Sequence, residues 1–183
     1  MVIFSRLIPA SKIIKAAEGF TSVVIVGCTG CANTNIAYEK DQPVYQFITD
    51  KTTGSTRRLP YSVMEHAGHL KKLLEEKGLK ATIEIMSTVC FVTDDPELSR
   101  LMGTPSWADL DFNKRCADAE AIITLCCRDA VLGVKRRLGE GIKIIPGMRN
   151  IGSGQVLFKM DESKEFALID KNKSTIIQGS KFS

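Results

Sequence analysis

The chain has 183 residues, of which 44% are apolar and 25% charged, and its formal net charge is +4. That length suits one compact domain with its own hydrophobic core, and the composition excludes a disordered or fibrous chain. No apolar run reaches the about 18 residues of a membrane span. The short basic clusters, Arg57-Arg58 and Lys135-Arg136-Arg137, read as solvated faces or as docking points for an acidic partner or a phosphate-bearing ligand, and no nucleic-acid face is expected.

The apolar start, residues 1–17, is interrupted by Lys12 and Lys15 and lacks a cleavage site after a continuous apolar core. It does not read as a signal peptide, and the expected compartment is the cytoplasm. Residues 22–27 (SVVIVG) form a β-branched run ending in glycine, the pattern of a buried strand. Residues 38–60 are polar, with Pro43 and Gly54, and read as an insertion or mobile loop with a short strand at 44–48. Ser62-Val-Met-Glu65 has the form of a capping box. Behind it Val63, Ala67, Leu70 and Leu74 fall at helical spacing, and Gly78 ends the helix.

Residues 81–90 (ATIEIMSTVC) begin with the alternation of a strand that Cys90 closes. A turn-rich connection over 94–105 leads to a helix from Ser106 to about residue 117. Residues 119–127 (AEAIITLCC) read as a third buried strand, 130–138 as a short helix, and 143–146 as a fourth strand. The glycine-rich segment 147–154 (GMRNIGSG) reads as a loop leaving that strand; it contains neither a dinucleotide fingerprint nor a Walker lysine. Three short runs, 155–160, 165–169 and 174–178, suggest an antiparallel meander.

Strands alternating with helices imply a mainly parallel sheet. Cys28, Cys90 and Cys127 then each stand at the carboxyl end of a strand, on the edge where open α/β sheets bind ligands. Cys28-Thr-Gly-Cys31 is a C-x-x-C turn whose glycine-flanked backbone lets two thiolates face one ion; the same spacing serves thioredoxin-like redox pairs. Cys126 and Cys127 are adjacent, so a persisting strand turns them to opposite faces; Cys127 is the ligand favoured by position and Cys126 the alternative. Cys116 reads as core filler. His66 and His69 lie three apart on one partly exposed helix face and do not resemble ligands, and Trp107 reads as a packing residue. An all-thiolate set suits zinc or an iron–sulfur cluster. Delivery of the ligands by apolar strands favours a 4Fe-4S cluster.

Taken together, residues 12–20 leading into VVIVGCTGC, then HLKKLLEEKGLKATIEIMSTVC, ADAEAIITLCC and KIIPGMRNIGSG, resemble the cysteine-rich module of the small subunit of acetogen-type methylenetetrahydrofolate reductase, a module also found fused C-terminally to such reductases. The resemblance runs over roughly residues 10–154. It implies metal ligation by Cys28, Cys31, Cys90 and Cys127, and it puts Cys126 where the family tends to have a small residue. Asn35 stands where the family often has another cysteine, and the family's chain-ending cysteines are missing, which implies fewer metal centres than in relatives. It also implies a partner, the flavin-bearing catalytic barrel, to which such a module passes electrons or which it stabilises.

The resulting expectation is an α/β protein with a small, mainly parallel, Rossmann-like sheet and flanking helices over 1–154, an insertion at 38–60, and a C-terminal antiparallel β meander over 155–183. It would act as the metal-binding electron-transfer subunit of a methylenetetrahydrofolate-reductase-like one-carbon redox complex, in a hetero-oligomer with the flavoprotein. The alternatives are a structural zinc module that docks a catalytic partner, and a thiol oxidoreductase using Cys28 and Cys31. No nucleophile–base pair, carboxylate dyad or flavin signature is present, so catalysis by this chain alone is not expected.

Overall fold

The computed structural model describes residues 2–87, 89–92, 96–102 and 111–178. In chain order these form β1 (Val2–Leu7), α1 (Ala10–Ala16), β2 (Ser22–Cys28), α2 (Cys31–Lys40), β3 (Tyr45–Thr49), β4 (Thr56–Pro60), α3 (Tyr61–Glu75) and β5 (Lys80–Met86). A 3-10 turn (Val89–Phe91) follows, then α4 (Pro96–Met102), α5 (Phe112–Arg115), β6 (Ala121–Leu125), α6 (Arg128–Leu138), β7 (Lys143–Pro146), β8 (Met148–Gln155), β9 (Phe158–Met160), β10 (Phe166–Ile169) and β11 (Thr175–Gln178).

The β-branched runs build the centre. Strands β5-β2-β6-β7 form a four-stranded sheet in which every pairing is parallel. Val26, Ile25, Ile122, Ile123 and Leu125 are fully or almost fully buried, as continuous apolar strands covered on both faces must be. The predicted stripe on α3, namely Val63, Ala67, Leu70 and Leu74, is entirely buried. The chain leaves β2 to one side for β5 and then crosses to the other side for β6. The strand order therefore reverses between β2 and β6, the place beyond whose carboxyl ends open α/β sheets generally bind ligands.

Gly27 sits in β2 immediately before Cys28, and its φ is not in the left-handed region. Its role is close packing, not a tight curl. A Cβ there would come 2.7 Å from Ile85 Cδ1 and 2.9 Å from Val63 Cγ2. Gly27→Ala is therefore expected to wedge α3 and β5 away from β2, with a cost of about 2 kcal/mol in a denaturant titration.

The antiparallel strands form two further sheets. One has the order β1-β8-β11 and the other β4-β3-β10-β9. The tail is antiparallel, as expected, but its strands do not pair only with one another. The hairpin β9–β10 joins the hairpin β3–β4 through β10 and β3, whereas β11 returns to β8. Residues 38–60 are thus no loose loop: they finish α2 and then supply half of a sheet. Similarly, residues 148–154 are not a loop but strand β8, held between β1 and β11. Gly154 keeps that pairing possible, because a Cβ would collide with the Thr175 carbonyl oxygen.

Helix α3 is not started by a capping box. Ser62 lies inside its first turn, fully buried, and donates to the Pro43 carbonyl at 2.8 Å. The Val63 amide is instead taken by Asn33 Oδ1 at 2.8 Å, from α2. Pro96–Met102 is helical where a turn-rich connection was expected; proline at the first position and Glu97 in the first turn both suit a helix start. Of the expected helix from Ser106, residues 106–110, including Trp107, lie outside the described residues, and the described part is α5.

His66 also departs from the partly exposed face expected of it. It is buried, with Nδ1 2.8 Å from Lys40 Nζ, while His69 is exposed. Burial, with Lys40 and His69 as further positive neighbours, pushes its pKa from 6.5 down to about 4. The neutral ring is what folding keeps, so the unfolded chain takes up the proton first as the pH falls. Stability is whole above about pH 6.5 and is lost between there and about pH 4, a loss of about 2 kcal/mol by pH 5. His66→Gln is expected to flatten the fall in Tm between pH 7 and pH 5, measured by thermal unfolding.

Candidate metal centre

The C-x-x-C segment joins β2 to α2. Cys28 is the last residue of β2 and is buried, Gly30 is the N-cap of α2, and Cys31 is its first residue, half-buried. Across the reversal point Cys127 is the N-cap of α6, just past β6. Two helices of 10 and 11 residues therefore start at neighbouring strand ends with a cysteine at or next to the cap. Helix starts present unpaired amides and a positive end, which favour thiolates.

Cys90 does not close its strand. β5 ends at Met86, and Cys90 sits in the 3-10 turn beyond it, which packs on α6. That turn reaches over the C-x-x-C loop: the Val89 amide, like that of Gly30, favours the Cys28 thiolate. The amides of Ala130 and Asp129 do the same for Cys127.

All six cysteines are free thiols. Burial raises the pKa of Cys28 and Cys127 and pushes that of Cys90 up to about 12. Mutual repulsion adds to this: Cys90 feels Cys127, Cys28 and Cys31, and Cys28 feels Cys127 and Cys31. The four cysteines singled out in the sequence thus share one electrostatic environment, and Cys126 shares it with Cys28, Cys90 and Cys127. Cys116 does not belong to it. It is buried beside α5, and its charged neighbours are Glu84 and Arg115.

Cys126 is fully enclosed and donates its thiol to the Val26 carbonyl at 3.5 Å, across the β2–β6 pairing. β6 ends at Leu125, before both cysteines, so the strand alternation expected of Cys126 and Cys127 does not apply; Cys126 nonetheless lies close enough to Cys28, Cys127 and Cys90 to feel their charge. Neither His66 nor His69 is among the charged neighbours of these thiols.

In kind the donor set fits a thiolate-ligated metal. Thiolates formed here would repel one another, no cation is among the charged neighbours of Cys28, Cys90 or Cys127, and a metal ion would supply positive charge that the backbone amides offer only in part. In distance the set is open: among the described residues no group of three or more His, Cys, Asp or Glu is gathered closely enough to hold an ion as it stands.

Two features beside the edge were not legible beforehand. Asn150 of β8 accepts from the Arg128 amide at 3.2 Å and from Ser5 Oγ at 2.8 Å, tying the β1–β8 sheet to the start of α6 next to Cys127. The Tyr45 hydroxyl of β3 approaches the Thr29 carbonyl inside the C-x-x-C segment, at 3.4 Å. A residue that distant in sequence has no local signal; only the pairing of β3 with β10 and β4 brings it there.

The fold and site define an α/β protein with cysteines collected at the reversal point of a parallel sheet. Comparison with protein-family models, with curated proteins and with solved structures finds no match to any of them. No helix among the described residues is long and apolar enough to cross a membrane.

Proposed function

We propose that this protein binds one thiolate-ligated metal centre, a 4Fe-4S cluster, through Cys28, Cys31, Cys90 and Cys127, and serves as an electron-transfer subunit of a cytoplasmic one-carbon redox complex. The observation that carries the reading is that Cys28, Cys127 and Cys90, which follow or end β2, β6 and β5, lie near enough beside the reversal point of the parallel sheet to influence one another's ionisation. Backbone amides aimed at Cys28 and Cys127 favour the thiolates that either metal needs, and in a cluster they would also tune its potential. The cluster would supply one-electron chemistry. The chain's own part is to hold the thiolates, shield them with apolar strands and leave one edge open. The one-carbon setting rests on the sequence resemblance to the small subunit of methylenetetrahydrofolate reductase, and the partner it suggests is a flavoprotein.

Zinc is the second reading, because the same four thiolates suit it. A thiol oxidoreductase is less well served. Such an enzyme needs an accessible thiol of lowered pKa, whereas Cys28 is buried and its pKa raised, by burial first.

Anaerobic purification followed by metal, sulfide and absorbance analysis separates these. Iron with inorganic sulfide and a brown colour supports the proposal. One zinc and no colour supports the second reading and removes electron transfer. A metal-free protein with a reversible Cys28–Cys31 disulfide sinks both.

A further inference from the structure

Cys127 is the N-cap of α6, and its carbonyl accepts the first bond of the helix, from the Val131 amide at 3.1 Å. The amides of Arg128, Asp129 and Ala130 then have no partner inside the helix. Those of Asp129 and Ala130 favour the Cys127 thiolate, as a cap side chain serves the second and third helical positions. A cap side chain does not serve the first. The Arg128 amide goes instead to Asn150 Oδ1 of β8, at 3.2 Å. That oxygen also accepts from Ser5 Oγ of β1, at 2.8 Å, and Ser5 is buried. The strand is built to allow this. β8 carries one extra residue, Ile151, where β1 steps from Phe4, opposite Gly152, to Ser5, opposite Asn150. Phe4 and Ser5 are consecutive and lie on opposite faces, so Gly152 and Asn150 do too, although they stand two apart. In a regular strand Asn150 would share the Gly152 face and turn away from Ser5.

We propose that Asn150 is a positioning residue for Cys127: its side-chain oxygen ties down the first amide of α6, which holds the next two amides against the Cys127 sulfur. Without that acceptor the Arg128 amide must turn to water, the first turn of α6 loosens, and the sulfur loses its fixed place beside the sheet. Ser5 keeps the Asn150 amide group oriented, so the β1–β8 sheet acts on the thiol site through one side chain. The consequence for metal binding rests on the proposed function; the placement of Cys127 rests on these hydrogen bonds alone. The geometry also supplies a way to make Asn150 dispensable. Proline is favoured at the first helical position, where its missing amide is not needed and its φ is preset. Cys127 has φ −69° and ψ 167°, the extended conformation that a residue before proline takes. Arg128→Pro therefore removes the amide that Asn150 serves without disturbing the cap.

The test is a double-mutant cycle read by iodoacetamide labelling of the reduced, metal-free, full-length protein, with fragment-ion mass spectrometry to resolve each cysteine. Asn150→Ala should label roughly tenfold faster at Cys127 and unchanged at Cys116, because only the start of α6 opens. Asn150→Asp keeps the acceptor for both donors and should label at the wild-type rate. On the Arg128→Pro background, Asn150→Ala should add little. Three results overturn the proposal: a Cys127 rate indifferent to Asn150→Ala, an acceleration shared by all the cysteines, or the same acceleration in both backgrounds. Cobalt(II) added to the same samples reads the ligand role. Wild type and Asn150→Asp should develop the same sulfur-to-cobalt absorption, and Asn150→Ala should lose one thiolate's share of it. A wild type that develops none sinks the proposed function, while the labelling cycle still decides the place of Asn150. Full absorption in every variant, with labelling unmoved, keeps the metal reading and removes the positioning role.

Discussion

Cys28→Ser and Cys127→Ser are each expected to leave the protein nearly free of metal and to lower its Tm by roughly 10 °C relative to the loaded protein. A centre held at these residues ties the ends of β2 and β6 to the turn after β5, three segments far apart in the chain. A metal bound by the folded state alone, at a concentration near a thousand times its dissociation constant, adds about 4 kcal/mol to stability, and a chain of this size shifts by about 2–4 °C per kcal/mol. Stripping the wild-type protein with a chelator should reproduce most of the shift. Cys116→Ser and Cys126→Ser should keep the metal, since Cys116 is charged-neighbour to Glu84 and not to the other thiols, and Cys126 is engaged with the Val26 carbonyl. Full metal occupancy in Cys127→Ser would remove the convergence argument.

The parallel core was readable because its signals are local. Nearly continuous apolar runs such as 22–27 and 121–125 can satisfy burial on both faces only inside a covered sheet, and the stripe on α3 repeats every three or four residues. The order of the strands then brought Cys28 and Cys127 together without any contact being known. What was missed is non-local. β1 is a six-residue strand that exists by pairing with β8, some 145 residues later. Likewise 38–60 looks like a loop because its partner, β10, lies beyond residue 160. The capping box at Ser62 failed for the same reason. The pattern was present, but Asn33 and the Pro43 carbonyl offered the buried start of α3 better partners than its own Ser and Glu.

Asn33 carries the second large expectation. It lies two residues after Cys31 and is fully buried. Its Nδ2 donates to the Val44 carbonyl at 2.6 Å, and its Oδ1 accepts from the Val63 amide at 2.8 Å. One side chain therefore joins the helix that begins with Cys31 to the entry of β3 and to the start of α3. Asn33→Ala strands the buried Val63 amide and removes one of two donors from the Val44 carbonyl, which keeps the Tyr61 amide at 3.0 Å. At about 1–3 kcal/mol for an unsatisfied buried group, the loss should be on the order of 2 kcal/mol, a Tm about 4–8 °C lower. Hydrogen exchange should quicken first in β3 and β4, whose anchor to α2 has gone, while β6 keeps its protection. Asn33→Asp distinguishes the two halves of the bridge. It retains the acceptor for Val63 but loses the donor to Val44 and buries a carboxylate against that carbonyl, so it should be as damaging as alanine at pH 7 and milder at pH 4, where protonation restores a donor. Equal stability of Asn33→Ala and wild type would show that the hairpin and α3 are held to α2 by apolar packing alone.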